Sequence, residues 1–243
     1  MMLLVDVGNS RIKWVVWEND CFTRRGALFH RELDRETLAE RLWGDLQRPA
    51  RVLVANVAGA QMAAVLSEWI ERTWALSVQF VTSEAASFGV RNAYPNPAQM
   101  GVDRWVAMIG ARARVTQPCC VVDCGTAITI DALATDGRHL GGVIFPGAQL
   151  MREALYRDTR QIPAATGEVA LFGNSTQDCV SGGVAYAVAA AIDGITSRME
   201  STTDETFCRL LTGGGAETVL PYLQNNYQQE PDLLFRGLVT MAG

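Results

Sequence analysis

The residue pattern predicts an α/β chain in which one unit is used twice. Three observations carry that reading. Short apolar runs alternate with segments of helical period, as in strand–helix architectures. The chain opens on an apolar run that ends in Asp-x-Gly: Leu3-Leu4-Val5-Asp6-Val7-Gly8-Asn9-Ser10. The same pattern returns without gaps, 117 residues later, as Cys120-Val121-Val122-Asp123-Cys124-Gly125-Thr126-Ala127. In both copies a second alternating strand follows the turn. The boundary between the copies falls within 112–118, giving domains 1–115 and 116–243.

In the first copy, the runs around residues 2–8 and 12–18 read as two strands joined by a polar turn. Residues 32–46 place Leu33, Leu38, Leu42 and Leu46 near helical spacing, which predicts an amphipathic helix. A buried strand over 51–58, a helix over 58–76 and a strand over 77–82 follow. Two prolines, two asparagines and two glycines make 87–104 a long loop, a common place for function. Residues 105–115 read as a helix. In the second copy the strands of 119–133 lead to a Gly-Gly-Val-Ile-Phe-Pro-Gly segment and then a helix around 148–156. A long helix rich in small residues lies within 172–199, and 210–223 reads as strand, glycine turn and helix.

Bulk composition limits the function classes. The chain has 243 residues, 49% of them hydrophobic and 19% charged, enough for a substantial core. Its net charge is −5 and it has no basic cluster, which argues against a nucleic-acid partner. No secretory signal is expected at the N-terminus, where Asp6 ends a short apolar run without a basic region before it. No apolar stretch is expected to reach the roughly 18–20 residues of a membrane span. The closest, 182–195, is interrupted by Asp193 and reads as a buried or interface helix. Cys120 and Cys124 resemble half a zinc site, but no second pair has matching spacing, so the six cysteines are expected to be reduced thiols in the cytoplasm.

The paired turns suit nucleotide phosphates. Glycine lets backbone N–H groups approach phosphate oxygens, and Asn, Ser and Thr add donors. Asp6 or Asp123 cannot hold a phosphate directly but can hold a cation, such as Mg²⁺, that bridges to it. The plainer alternative is two ordinary β-turns. Lys13 is the only lysine among 21 basic residues, so either a compact ammonium is needed beside the first turn or codon usage left one survivor. Thr212-Gly213-Gly214-Gly215 lets a flat ring or sugar lie against backbone, a weak signal alone. Asp103 is either a base that accepts a hydroxyl proton or a helix cap. Arg104 either clamps an anionic substrate group or faces solvent.

Taken in order, DVGNSRIKW, GVDRW, DCGTAIT, GGVIFPG, GNST and TGGGAE resemble the type III pantothenate kinases of the acetate/sugar kinase–Hsp70–actin superfamily. The resemblance runs from Asp6 to about Leu238. It implies two ribonuclease-H-like, actin-like ATPase domains around a nucleotide cleft, and phosphorylation of pantothenate by ATP as the first step toward coenzyme A. It assigns ATP to Asp6, Val7, Gly8, Asn9, Ser10, Arg11, Ile12, Lys13 and Thr126. It places pantothenate against Tyr94, Gly101, Val102, Asp103, Arg104 and Thr176, with Asp103 as proton acceptor. Asp123 matches the ligand of a monovalent cation, K⁺ or NH4⁺. It implies a homodimer as well, and the small residues of 182–195, which allow close helix approach, predict that helix as the interface. Many relatives read Gly-Asn-Thr where this chain has Gly8-Asn9-Ser10, which keeps the hydroxyl. A related sugar or acetate kinase and a non-catalytic nucleotide-binding regulator are the competing readings.

Overall fold

The computed structural model describes residues 1–30, 35–164, 166–203 and 205–243. The chain divides into two compact units, one of Met1–Arg114 with Asp232–Gly243, the other of Val115–Pro231. The first crossing lies beside the expected boundary. The second is a correction to a simple split at 115/116, since the last helix packs in the first unit.

Unit 1 is built on a five-stranded sheet of order β3-β2-β1-β4-β5. Strands β1 (Met2–Val7), β2 (Arg11–Glu18) and β3 (Cys21–Phe29) form an antiparallel meander, and β4 (Arg51–Asn56) and β5 (Gln79–Phe80) run parallel to β1. Helices α1 (Arg35–Trp43) and α2 (Ala60–Trp74) complete the crossovers. Alternation along β1 sorts its side chains. Leu3, Val5 and Val7 share a core with Leu38, Trp43, Leu66, Trp69 and Trp74. Leu4 faces the other way, into a core with Val102, Val106, Leu234 and Leu238.

That second layer consists of α3 (Val102–Arg114) and α7 (Leu233–Ala242). The two helices meet at glycines. A Cβ on Gly110 would collide with the carbonyl oxygen of Leu233, and one on Gly237 with that of Val106. Such contacts seat α3, and thereby the residues at its N-terminus. The segment before α3 contains a short hairpin of β6 (Ala86–Ser87) and β7 (Val90–Arg91), turned by Phe88 and Gly89 at positive φ, then a 3-10 turn at Pro97–Gln99. The expected structureless loop is therefore partly ordered, and α3 starts three residues earlier than residue 105.

Unit 2 repeats the plan with order β10-β9-β8-β11-β12. Its strands are β8 (Cys119–Cys124), β9 (Ala127–Leu133), β10 (His139–Pro146), β11 (Cys208–Thr212) and β12 (Gln228–Gln229). Helices α4 (Ala148–Asp158), α5 (Thr176–Thr203) and α6 (Ala216–Val219) belong to it. Cys120, Val122 and Cys124 meet Val188 and Ile192 of α5 and Val219 of α6. The buried positions 120, 122 and 124 match 3, 5 and 7 in the alignment of the two copies. The duplication read from the sequence is thus a duplication of fold.

Three further expectations change. Strand β3 escapes the apolar-run criterion because Thr23, Arg24 and Arg25 lie exposed in it. The strand expected over 77–82 shrinks to Gln79–Phe80. Leu33 lies outside the described residues, while Leu38 and Leu42 of the same helix are buried. Helix α5 is long and apolar enough to cross a membrane by length and composition, contrary to the sequence expectation. Its Val184, Val188 and Ile192 stripe is buried within unit 2.

The α3–α7 contact yields a prediction. Gly110→Ala gains up to about 1 kcal/mol of helix propensity but drives a methyl into a carbonyl oxygen, an overpacking cost of about 1–3 kcal/mol or more. Urea denaturation is expected to show a net loss of stability, and an unchanged midpoint would contradict the contact.

Candidate active site

The first candidate turn is closed by its own backbone. Gly8 N–H donates to the Arg11 carbonyl at 3.1 Å. The approach is close, since a Cβ on Gly8 would lie 3.2 Å from the same oxygen, tighter than most such contacts. Asp6 stands opposite Lys13 in the β1–β2 register. The carboxylate and ammonium are 3.8 Å apart, with side chains 13% and 32% exposed. A half-screened pair of this kind adds little stability, but it places one anion and one cation beside the turn. Val7 and Ile12 are fully buried, so their side chains serve the core and only their backbone is available to a ligand. The Arg11 guanidinium lies 5.0 Å from the centre of the Phe29 ring.

The second turn has the same frame with different surroundings. Asp123 pairs with Thr129 across β9, and with Thr212 in the parallel strand β11. Gly125 N–H donates to the Ala127 carbonyl at 3.2 Å, and Gly147 N–H donates to the Thr126 carbonyl at 3.0 Å. The glycine run after β11 packs directly on this turn. Gly215 N–H donates to the Cys124 carbonyl at 2.8 Å. Gly213 has φ +92°, and a Cβ on it would strike the Asp123 carboxylate and the Cys124 amide. Glycine is required there by both conformation and space. Asp123, Thr126 and the glycine run therefore form one cluster. Burial and the neighbouring Asp123 charge push the Cys124 thiol up to about 12, so it stays protonated at neutral pH. All six cysteines are free thiols.

A third cluster sits at the start of α3. Trp105 N–H donates to the Gly101 carbonyl at 3.1 Å, opening the helix. Asp103 lies in the first turn, where the helix dipole favours a carboxylate. One of its oxygens accepts from the Arg104 amide at 2.8 Å. Arg104 is only 7% exposed, which removes the solvent-facing alternative. Its Nη1 donates to the Tyr94 hydroxyl at 2.9 Å. The backbone of Tyr94 is fixed in turn, its N–H donating to the Asn92 side chain at 2.9 Å. Tyr94, Gly101, Val102, Asp103 and Arg104 are thus brought together.

Thr176 is exposed at the first position of α5, in unit 2. It borders a cavity of about 820 Å³ between α4 and α5, lined chiefly by apolar side chains such as Leu150, Met151, Val180 and Val184. The glycines at 213–215, weak as a motif alone and expected beside the two turns to suit an adenosine, pack on the second turn, and sequence reasoning left Gly147 out of the site. The offset of the two copies points to Gly147 only if the alignment is carried past the first hairpin.

Two ribonuclease-H-like sheets, each with an Asp-x-Gly turn closing its central strand, define an actin-like ATPase fold of the kind that includes small-molecule kinases. Residues 2–198 match the type III pantothenate kinase family. A type III pantothenate kinase of Nitrosococcus oceani is 36% identical over 249 residues, covering 100% of this chain and 94% of the relative. That of Halorhodospira halophila is 40% identical, covering 98% and 96%. The chain belongs to the type III pantothenate kinase family, whose members phosphorylate pantothenate in coenzyme A biosynthesis. Among solved structures, the activator of the 2-hydroxyisocaproyl-CoA dehydratase from Clostridium difficile with bound ADPNP superposes with a TM-score of 0.58. It is 12% identical, covers 99% of this chain and 93% of its own, and carries the fold alone.

The geometry at residue 101 gives a second prediction. A Cβ on Gly101 would lie 2.6 Å from an Asp103 carboxylate oxygen. The carboxylate can swing aside, so Gly101→Ala is expected to leave the melting temperature nearly unchanged while lowering kcat. Unaltered kcat would show that the position of this carboxylate is immaterial to turnover.

Proposed function

We propose that the segment Asp6–Lys13 and Thr126 bind ATP, and that Tyr94, Gly101–Arg104 and Thr176 bind pantothenate. The observation that carries the reading is the cluster at the start of α3, where a carboxylate at a helix N-terminus adjoins a buried guanidinium held on a tyrosine. Arg104 offers charge-assisted donors to the pantothenate carboxylate. Asp103 accepts the proton of the primary hydroxyl as that oxygen bonds to the γ-phosphorus. The bond to the β–γ bridging oxygen breaks, and ADP leaves. A related nucleotide-bound fold supports ATP as donor.

Mg²⁺ is typically held by one or two carboxylates together with substrate phosphates. The donor set suits that mode: Asp6 brings one carboxylate to the end of the central strand β1. Among the described residues no group of three or more His, Cys, Asp or Glu forms a protein cage. When bound, the ion neutralises phosphate charge; Asp6 is its candidate ligand. We assign Asp123 to a monovalent cation, K⁺ or NH4⁺, supported by a half-buried carboxylate at the end of β8 with glycines packed close beside it.

The same reading includes a homodimer and a cytoplasmic location without nucleic-acid or membrane partners. Exposed Gly183, Ala187, Ala190 and Gly194 make one small-residue stripe on α5 that allows close helix approach. Light scattering at micromolar concentration is expected to give the dimer mass, and a monomer would contradict that assembly.

Asp103→Asn keeps the shape of the side chain but cannot take a proton. Single-turnover phosphorylation is expected to fall about 10²–10⁴-fold, with ATP affinity retained. Phosphorylation close to the parent rate would reduce Asp103 to a helix cap. Replacing potassium by a larger organic cation is expected to lower parent activity and to leave Asp123→Ala unaffected. A parent indifferent to potassium sinks the cation assignment.

A further inference from the structure

The two halves hold their turns from the same place by different means. In each sheet the residue following the third strand of the meander touches the turn. In unit 2 that residue is Gly147, whose N–H donates to the Thr126 carbonyl and whose Cβ, if present, would lie 2.5 Å from the Gly125 oxygen. In unit 1, at the same offset as the Asp6–Asp123 pair, it is His30. Its N–H donates to the Ser10 carbonyl at 3.2 Å. Its ring Nε2 lies 2.8 Å from the Gly8 oxygen, the counterpart of the Gly125 oxygen. A carbonyl only accepts, so Nε2 carries the hydrogen. Where unit 2 backs the turn with a bare glycine, unit 1 reaches it with an imidazole.

Peptide geometry turns this contact into an aiming device. In a trans peptide the carbonyl and the following N–H point to opposite sides of the chain. The described residues contain no cis peptide. Holding the Gly8 and Ser10 oxygens on the His30 side fixes the Asn9 and Arg11 N–H groups toward the other side. We infer that His30 is a positioning residue for nucleotide binding, setting the direction of the amides in the first turn. This rests on the assignment of Asp6–Lys13 to ATP.

The test compares His30→Phe, which keeps a ring and loses the donor, with His30→Gln, whose amide can still donate. A non-hydrolysable ATP analogue with Mg²⁺ is titrated calorimetrically into each, and the KM values for ATP and pantothenate are measured. His30→Phe is expected to weaken the nucleotide about three- to tenfold, the range for one lost hydrogen bond. Its KM for pantothenate should hold, and His30→Gln should recover most of the loss. Parent-like nucleotide affinity in His30→Phe, with weakening in Lys13→Ala, overturns the role of His30 and leaves the turn assignment standing. Parent-like affinity in both overturns the assignment of the turn and the inference with it. If His30→Phe does not fold, the imidazole ¹⁵N shifts of the parent decide. The chain has only two histidines, and His30→Gln identifies the signals. A hydrogen on Nε2 supports the clamp, and one on Nδ1 overturns it.

Discussion

Each unit depends on a strand that changes character one residue before its end. Along β1, the odd positions 3, 5 and 7 are buried against helices α1 and α2, and along β8 the even positions 120, 122 and 124 are buried against α5 and α6. Asp6 and Asp123 take the opposite parity and the last such position of their strands. Alternation keeps the carboxylate off the face packed on those helices, and at the strand end the other face, which buries Leu4 and Val121 further back, leaves Asp6 and Asp123 only half-buried. A shift of one residue would put the charge among Trp43, Leu66 and Trp69 in the first unit, at the large cost of an unpaired buried ion. The hydrophobic pattern that makes the sheet also fixes where the acid emerges.

What surrounds each carboxylate differs, and the difference follows from neighbouring strands. In unit 2, β11 runs parallel to β8 and ends in glycines that lie on the turn, so a cation or nucleotide there would meet mostly backbone. In unit 1 the neighbour across β2 is Lys13, and the closing contact comes from a side chain. The site at α3 has another origin. It is seated by the glycine contact of α3 with α7, the last helix of the chain, so residues from 101 to 104 depend on packing supplied by the C-terminus.

Much of this was legible in the sequence. The gapless return of Asp-x-Gly at Asp123 exposed the duplication, because strand, turn and strand had to agree together. The order of short motifs carried the family. Strand β1 itself was readable from the apolar run Leu3-Leu4-Val5, but not its parity, because Leu4 is buried on the opposite face. Strand β3 was not readable, since an edge strand tolerates exposed Arg24 and Arg25, one on each of its faces. The return of α7 to the first unit was equally hidden. A terminal apolar helix satisfies either core by composition, and only the Gly110–Leu233 and Gly237–Val106 contacts decide between them. His30 was invisible for a different reason: its partners are carbonyl oxygens, which every residue carries and no sequence marks.

Hydrogen exchange on the parent protein reports whether the two turns hold the nucleotide. Amide exchange is compared with and without a non-hydrolysable ATP analogue in the presence of Mg²⁺. The account predicts slowing at both turns, residues 8–13 and 125–127, and at the glycines of 213–215, with little change at 101–104 until pantothenate is added. Slowing confined to 92–104, with both turns exchanging as in the free protein, would contradict it.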